Sequence, residues 1–153
     1  MNVLFVCTGN TCRSPMAESI LRHELERRGV PDVTVASAGT GAWEGAPVSE
    51  GAYLVALESG LDLSAHRARL LSRELVAGAD LIFTMARHHR ARVEELGGAG
   101  KTHLLGEFAG RTGAPAEVPD PFGGPIDGYR ETFQELQALM TTLVTRLAAE
   151  GAR

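Results

Sequence analysis

The run Asn2-Val3-Leu4-Phe5-Val6-Cys7-Thr8-Gly9-Asn10-Thr11-Cys12-Arg13-Ser14-Pro15 changes character twice. Residues 2–6 are mostly apolar and rich in β formers, which reads as a buried strand. Residues 7–14 hold Gly9, Asn10 and small hydroxyl side chains, a composition suited to a tight loop. From Ser14 the pattern is helical. Ser14 suits the cap, Pro15 the first helical position, and Glu18 a first turn that favours an acid. Ile20, Leu21 and Leu25 give this helix an apolar face, and Gly29 and Pro31 end it. Strand, loop and helix in that order put the loop beyond the carboxyl end of a strand, where α/β folds bind ligands.

Outward from this run the same alternation continues. Residues 33–36 read as a second strand, followed by a loop of small residues over 37–47 that holds Trp43. Residues 49–59 read as a helix with Tyr53, Leu54 and Leu57 as its core stripe, and 72–78 as a short helix. A third strand is expected at 81–84, a helix at 88–96 and a fourth strand at 103–105. Residues 106–125 are rich in Gly and Pro and read as loop. Residues 126–149 close the chain as a helix, with Tyr129, Phe133, Leu136, Met140, Leu143 and Leu147 at helical spacing. Strands alternating with helices predict an α/β sandwich on a parallel sheet. The pair His88-His89, flanked by Arg87 and Arg90, reads as solvated helix surface.

Composition narrows the function classes. The 153 residues suit one domain, 1–153, with a real core. Hydrophobic residues make up 44% and charged residues 22%, ordinary for a globular chain. A net charge of -4 without a basic run argues against a nucleic-acid partner. It leaves room for an anion pocket, which needs only a few donors. No apolar stretch reaches membrane-spanning length, and the short apolar start lacks a basic lead-in, so a cytoplasmic location and no membrane partner are expected. Cys7 and Cys12 are too few for a disulfide framework, which favours a reactive or redox role.

The loop from Cys7 to Ser14 carries the chemistry. A strand-to-helix loop can turn backbone N–H groups inward as an anion nest, and the helix N-terminus adds positive potential. Such a field stabilises a thiolate, which makes Cys7 a candidate nucleophile. Thr8, Gly9, Asn10, Thr11 and Cys12 would line the nest. Arg13 offers a planar fork matched to phosphate oxygens, and Ser14 a hydroxyl for the Cys7 sulfur. Transfer of a phosphoryl group to sulfur also requires a proton donor. Asp120 is the candidate, on a loop stiffened by Pro119, Pro121 and Pro125. The bland alternatives are a small buried Cys7 and an Asp120 that merely opens a turn.

The stretch Val3–Glu18 resembles the N-terminus of the low-molecular-weight protein tyrosine phosphatases. Ser37-Ala38-Gly39, Ser64–Arg69, Ala79–Ile82 and Asp120-Pro121 are similar to further family motifs, in family order, so the resemblance spans essentially the whole chain. It implies a three-layer sandwich around a four-stranded parallel sheet, a cysteinyl-phosphate intermediate, and no metal or cofactor. It implies that Cys7 attacks, Arg13 binds phosphate, and Asp120 acts as acid and then base. It also implies a supporting network of Asn10, Ser14, Ser37 and His66, and a protective Cys7–Cys12 disulfide. The partner would be a phosphorylated protein substrate, met by a monomer.

Two features bear on substrate. Thr11 stands where tyrosine-specific members usually carry an aliphatic residue. The run Cys-Thr-Gly-Asn-Thr-Cys-Arg-Ser and the later Asp120–Gly124 and Ile126-Asp127 resemble the bacterial protein-arginine phosphatases. A hydroxyl at Thr11 suits a guanidinium or a water, and Asp120 and Asp127 are acids for its remaining nitrogens. Aromatic residues are 5% of the chain, few for a phosphotyrosine wall. Phosphoarginine is therefore the expected substrate, with phosphotyrosine, held by Phe122 and Trp43 as pocket wall, as the alternative. Arsenate reduction needs further cysteines, and none follows Cys12. A phosphocysteine carrier or a phosphate-binding adaptor would not need Arg13 together with an acid.

Overall fold

A computed structural model describes residues 1–151. The chain runs β1 (Asn2–Cys7), α1 (Arg13–Arg27), β2 (Thr34–Gly39), α2 (Glu50–Glu58), α3 (Arg73–Gly78), β3 (Leu81–Thr84), α4 (Arg87–Val93), β4 (Thr102–Leu104), α5 (Leu105–Phe108) and α6 (Ile126–Gly151). A π turn over Glu94–Gly98 follows α4, and a 3₁₀ turn over Ala114–Ala116 follows α5. The four strands form one parallel sheet in the order β2-β1-β3-β4. The strand order turns back between β1 and β3, so the crevice beyond the carboxyl end of β1 is the topological switch point of the sheet.

Period-two alternation sends the side chains of β1 to both faces. Val3, Phe5 and Cys7 belong to the larger core, with Met16, Leu21 and Leu25 of α1, Val55 of α2, and Phe133, Leu136, Met140 and Leu143 of α6. Leu4 and Val6 meet Val76 of α3, Ile82 of β3 and Val93 of α4 on the opposite face. A strand covered on both sides has to be apolar throughout, which is why residues 2–6 read as one continuous run. The result is the α/β sandwich with a central four-stranded parallel sheet that the sequence led us to expect.

Several boundaries differ from expectation, each for a physical reason. α1 begins at Arg13, with Cys12 as its uncapped N-terminal residue, so Ser14 is not the cap. The Ser14 hydroxyl is engaged elsewhere, as described below. Pro15 still falls in the first turn, where N–H groups have no helical acceptor. Glu18 lies beyond that turn. β2 runs on to Gly39, because residues 37–39 pair with residues 5–7 of β1. Small residues there signalled a loop, yet they are what lets two backbones and a tight turn come close. A Cβ on Gly39 would collide with the Thr8 carbonyl oxygen and the Asn10 nitrogen.

α2 presents Ala52, Val55 and Ala56 to the core, not the stripe Tyr53, Leu54 and Leu57. The helix packs close to α6, and Gly51 sits against the Tyr129 ring with no space for a Cβ. Small residues therefore face inward and leave Leu54 and Leu57 at the surface. The expected loop 106–125 holds the short α5 and the 3₁₀ turn, and Leu105 starts α5 instead of ending β4. The six apolar positions singled out along α6 are all buried. Among the described residues no helix is long and apolar enough to cross a membrane.

Candidate active site

Cys7 ends β1 and is 2% exposed. With Thr8, Gly9, Thr11, Cys12, Arg13, Asp120 and Phe122 it lines a cleft of about 230 Å³ at the carboxyl edge of the sheet. Asn10 is the hinge of this loop. Its φ is +56°, a left-handed value that Asn tolerates better than most residues. Every polar group of Asn10 that faces inward has a partner. Its amide nitrogen donates to Ser14 Oγ at 2.8 Å and to Ser37 Oγ at 2.9 Å. Its Oδ1 accepts from the Arg69 backbone N–H at 2.9 Å. Its carbonyl accepts from His66 Nε2–H at 2.8 Å.

These bonds fix the direction of the next ones. Ser14 Oγ accepts from Asn10 and has one hydrogen to give. The Cys7 sulfur lies 2.9 Å away, and as a thiolate it can only accept that hydrogen. Ser37 also accepts from Asn10, and its hydroxyl donates to Glu18 Oε1 at 2.6 Å. Glu18 is held in turn by Arg22 at 2.6 Å. The structure thus brings Asn10, Ser14, Ser37 and His66 into one connected set, with Glu18 and Arg69 as members that sequence reading missed.

Arg13 is buried at the first position of α1. Its Nη1 donates to the Val118 carbonyl at 2.9 Å. Its Nη2 lies 3.6 Å from Asp120 Oδ2 and 3.5 Å from Thr8 Oγ1. Asp120 is half-exposed, and its Oδ1 accepts from the Phe122 N–H at 3.0 Å, a short turn that stiffens the acid's loop. The guanidinium plane therefore spans the gap between the β1 loop and the acid loop.

The two thiols are free and keep separate partners. Ser49 Oγ donates to the Thr11 carbonyl at 3.1 Å, so the Cys12 S–H, 3.0 Å from that oxygen, donates to Ser49. Burial pushes the Cys12 thiol above its ordinary range and keeps it protonated. Tyr129 of α6 approaches the same sulfur at 3.8 Å.

Phe122 is 69% exposed at the rim of the cleft. Trp43, expected beside it as pocket wall, is not among the residues lining the cleft. It stands 85% exposed on the turn after β2, which Gly39 and the backbone bonds from Thr40 to Cys7 and from Gly41 to Thr8 hold tight against the β1 loop. Asp127 is not brought into the cleft lining either; it pairs with Arg130 at 2.7 Å on the surface of α6.

His89 corrects a second expectation. It is fully buried, not solvated surface. Parallel pairing places the β3–α4 junction at the same end of the sheet as the Cys7 loop. His89 at the third position of α4 turns inward there and accepts the Ala86 N–H on Nδ1 at 3.1 Å. Its Nε2 meets Thr8 Oγ1 at 2.8 Å. Burial, with the nearby His88 ring and the Arg13 guanidinium, brings its pKa down to about 3, so the ring is neutral at physiological pH. A histidine one turn beyond a parallel strand is a hint of this, but it does not say which of two adjacent histidines turns inward. Among the described residues no group of His, Cys, Asp and Glu side chains could hold a metal ion.

Comparison with known proteins gives a consistent picture. The family model described as low molecular weight phosphotyrosine protein phosphatase matches residues 2–153. A protein-arginine-phosphatase of Geobacillus stearothermophilus is 39% identical over 150 residues, covering 97% of each chain. The solved structure of a YwlE arginine phosphatase cysteine-to-serine mutant with phosphorylated active site serine superposes with a TM-score of 0.89. Its identity is 37%, and 96% of this chain and 95% of that one are covered. The low molecular weight protein tyrosine phosphatase from T. tengcongensis superposes with a TM-score of 0.88 at 44% identity, covering 95% of this chain and 99% of that one.

Proposed function

The chain belongs to the low molecular weight phosphotyrosine protein phosphatase family, and on that premise we propose that its single domain, residues 1–153, hydrolyses phosphoarginine on proteins through a cysteinyl phosphate at Cys7. The observation that carries the chemistry is the sulfur itself. Cys7 lies 2.9 Å from the Ser14 hydroxyl, which can donate to its thiolate, in a cleft shared with Arg13 and Asp120.

In this reading the Cys7 thiolate attacks phosphorus, the sulfur–phosphorus bond forms, and the bond from phosphorus to the substrate breaks. Asp120, entering as the carboxylic acid, gives its proton to the departing guanidine nitrogen. Arg13 offers its fork to the equatorial oxygens as charge spreads over them. Asp120, now a carboxylate, then takes a proton from water as the water attacks the cysteinyl phosphate. Inorganic phosphate leaves, and the sulfur departs as a thiolate steadied by Ser14. Both half-reactions use the same four side chains, which is why Arg13 and Asp120 need to line one cleft with Cys7. The Cys12 thiol, a few residues away on the same loop, is proposed as a disulfide partner that protects Cys7 from over-oxidation.

The substrate preference rests on Thr11. Its side chain lines the cleft beside Gly9, where a hydroxyl can bond a guanidine nitrogen and an aliphatic group would only pack on a ring. Phe122 is the one aromatic residue of the cleft lining, and the similarity to a protein-arginine-phosphatase points the same way. Phosphotyrosine is the alternative, favoured by the similarity to a protein tyrosine phosphatase at 44% identity.

The test is kcat/KM on matched peptides carrying phosphoarginine or phosphotyrosine, with Cys7→Ser as the blank. A preference for phosphoarginine of about tenfold or more, about 1.4 kcal/mol in the transition state, is expected. An equal preference for phosphotyrosine would assign Thr11 a packing role and leave the phosphatase chemistry standing.

A further inference from the structure

His89 lies outside the residues that the proposed reaction uses, yet it is fully buried and reaches the loop around Cys7. The direction of its bonds follows from what each partner can do. The Ala86 backbone N–H is a donor, so Nδ1 accepts and carries no proton. A neutral imidazole then carries its hydrogen on Nε2, and Nε2–H donates to Thr8 Oγ1 at 2.8 Å. On its other side, Thr8 Oγ1 is approached by the Arg13 Nη2 donor at 3.5 Å. Both neighbours of this oxygen are donors. The Thr8 hydroxyl has one hydrogen left to give, and neither neighbour can accept it.

Thr8 lines the cleft together with Cys7, Arg13 and Asp120. We propose that His89 is a positioning residue: its Nε2–H bond to Thr8 Oγ1 turns the Thr8 hydroxyl hydrogen into the cleft, onto an oxygen of the phosphoryl group in transfer. The proposal rests on the phosphatase reading and deepens it. Arg13 presents positive charge to the phosphoryl group from one side, and Thr8 adds a neutral donor whose direction is set before substrate arrives. Such preset donors act mainly on the charge that develops in the transition state, with less effect on ground-state binding. His89 touches neither substrate nor sulfur and works only through Thr8.

The experiment uses para-nitrophenyl phosphate as the probe, with Thr8→Val, His89→Ala, His89→Gln and the double variant Thr8→Val/His89→Ala. Thr8→Val keeps the side-chain shape and removes the hydroxyl. It is expected to lower kcat about 10–100-fold, the range for one hydrogen bond to a charged group, with KM within about threefold. His89→Ala is expected to match it, and the double variant to be no worse than either single one, since both remove the same donor. His89→Gln, whose side-chain amide N–H reaches toward the Nε2 position, is expected to recover most of the kcat lost in His89→Ala. Vanadate inhibition, which mimics the transition state, should weaken in parallel with kcat while inhibition by inorganic phosphate holds.

Thr8→Val leaves the core untouched and carries the test even where His89→Ala does not fold. A Thr8→Val kcat within about twofold of wild type would overturn the proposal. So would a full additional loss on adding His89→Ala to Thr8→Val, because His89 would then act by another route. Absence of Cys7-dependent turnover in the wild-type protein would instead sink the phosphatase reading, and this proposal with it.

Discussion

Ser14 shows how one proton can be assigned from heavy atoms alone. Its two neighbours are the Asn10 amide, which can only donate, and the Cys7 sulfur, which as a thiolate can only accept, so its hydrogen goes to the thiolate. Ser14→Ala is expected to lower kcat by about 10–100-fold, the range for a hydrogen bond to a charged group, with KM nearly unchanged. Steady-state kinetics with a rapid-quench count of phosphoenzyme checks this, since the sulfur must also leave in the second half-reaction. Asp120→Asn keeps the turn at Phe122 but cannot transfer a proton. Its kcat is expected to fall about 10²–10⁴-fold, while radiolabelled substrate still marks Cys7. That Cys7, Arg13, Ser14 and Asp120 come together was legible because their residue types and chain order suit the proposed chemistry. His66 and Ser37 were legible only through resemblance; the distances then place them on Asn10. His89 was not legible, because period alone does not say which of two adjacent histidines turns inward. Trp43 was misread because an aromatic in a small-residue loop looks like a wall until the tightness of the turn is known.

At the scale of elements, the site depends on how closely β2 approaches the β1 loop. The strand-loop-helix order of residues 2–27 was readable because hydrophobic continuity, turn chemistry and a helical face agree there. The end of β2 was not, because small residues mean a loop in most settings and a close approach in this one. Gly39→Ala tests the distinction. The added Cβ meets backbone atoms of Thr8 and Asn10, which cannot rotate away. A stability loss of about 1–3 kcal/mol by urea titration is expected, with a proportionally larger fall in kcat because the strain lands on the loop that holds Cys7. α2 offers the complementary lesson. Its large apolar residues suggested a core stripe, but a helix lying close to α6 buries small ones, and Leu54 and Leu57 stay outside.

Across the whole molecule, acid sensitivity follows from His89. Its pKa is about 3 when folded and about 6.5 when exposed in the unfolded chain. The unfolded chain therefore binds one more proton than the folded one between these values. The contribution of the buried neutral ring is complete above about pH 6.5 and is lost as pH falls toward 3, with a slope approaching about 1.4 kcal/mol per pH unit. Urea unfolding of wild type and His89→Gln between pH 7.5 and 4.5 checks this. Wild type should lose stability more steeply, while the surface carboxylates, common to both, cancel in the comparison. The α/β sandwich was legible from the strand–helix alternation, since each segment repeats one pattern, whereas the contacts that join distant segments leave no local trace. Those distances have a consequence for synthesis. Asn10 waits for His66 and Arg69, 56 and 59 positions further along, and Thr8 waits for His89, 81 positions further. On the ribosome Cys7 emerges well before these partners, and its surroundings are completed only after β3, α4 and then the Asp120 loop follow. The nascent chain thus carries Cys7 before its loop is braced, and the bracing contacts arrive in sequence as residues 66, 69 and 89 emerge.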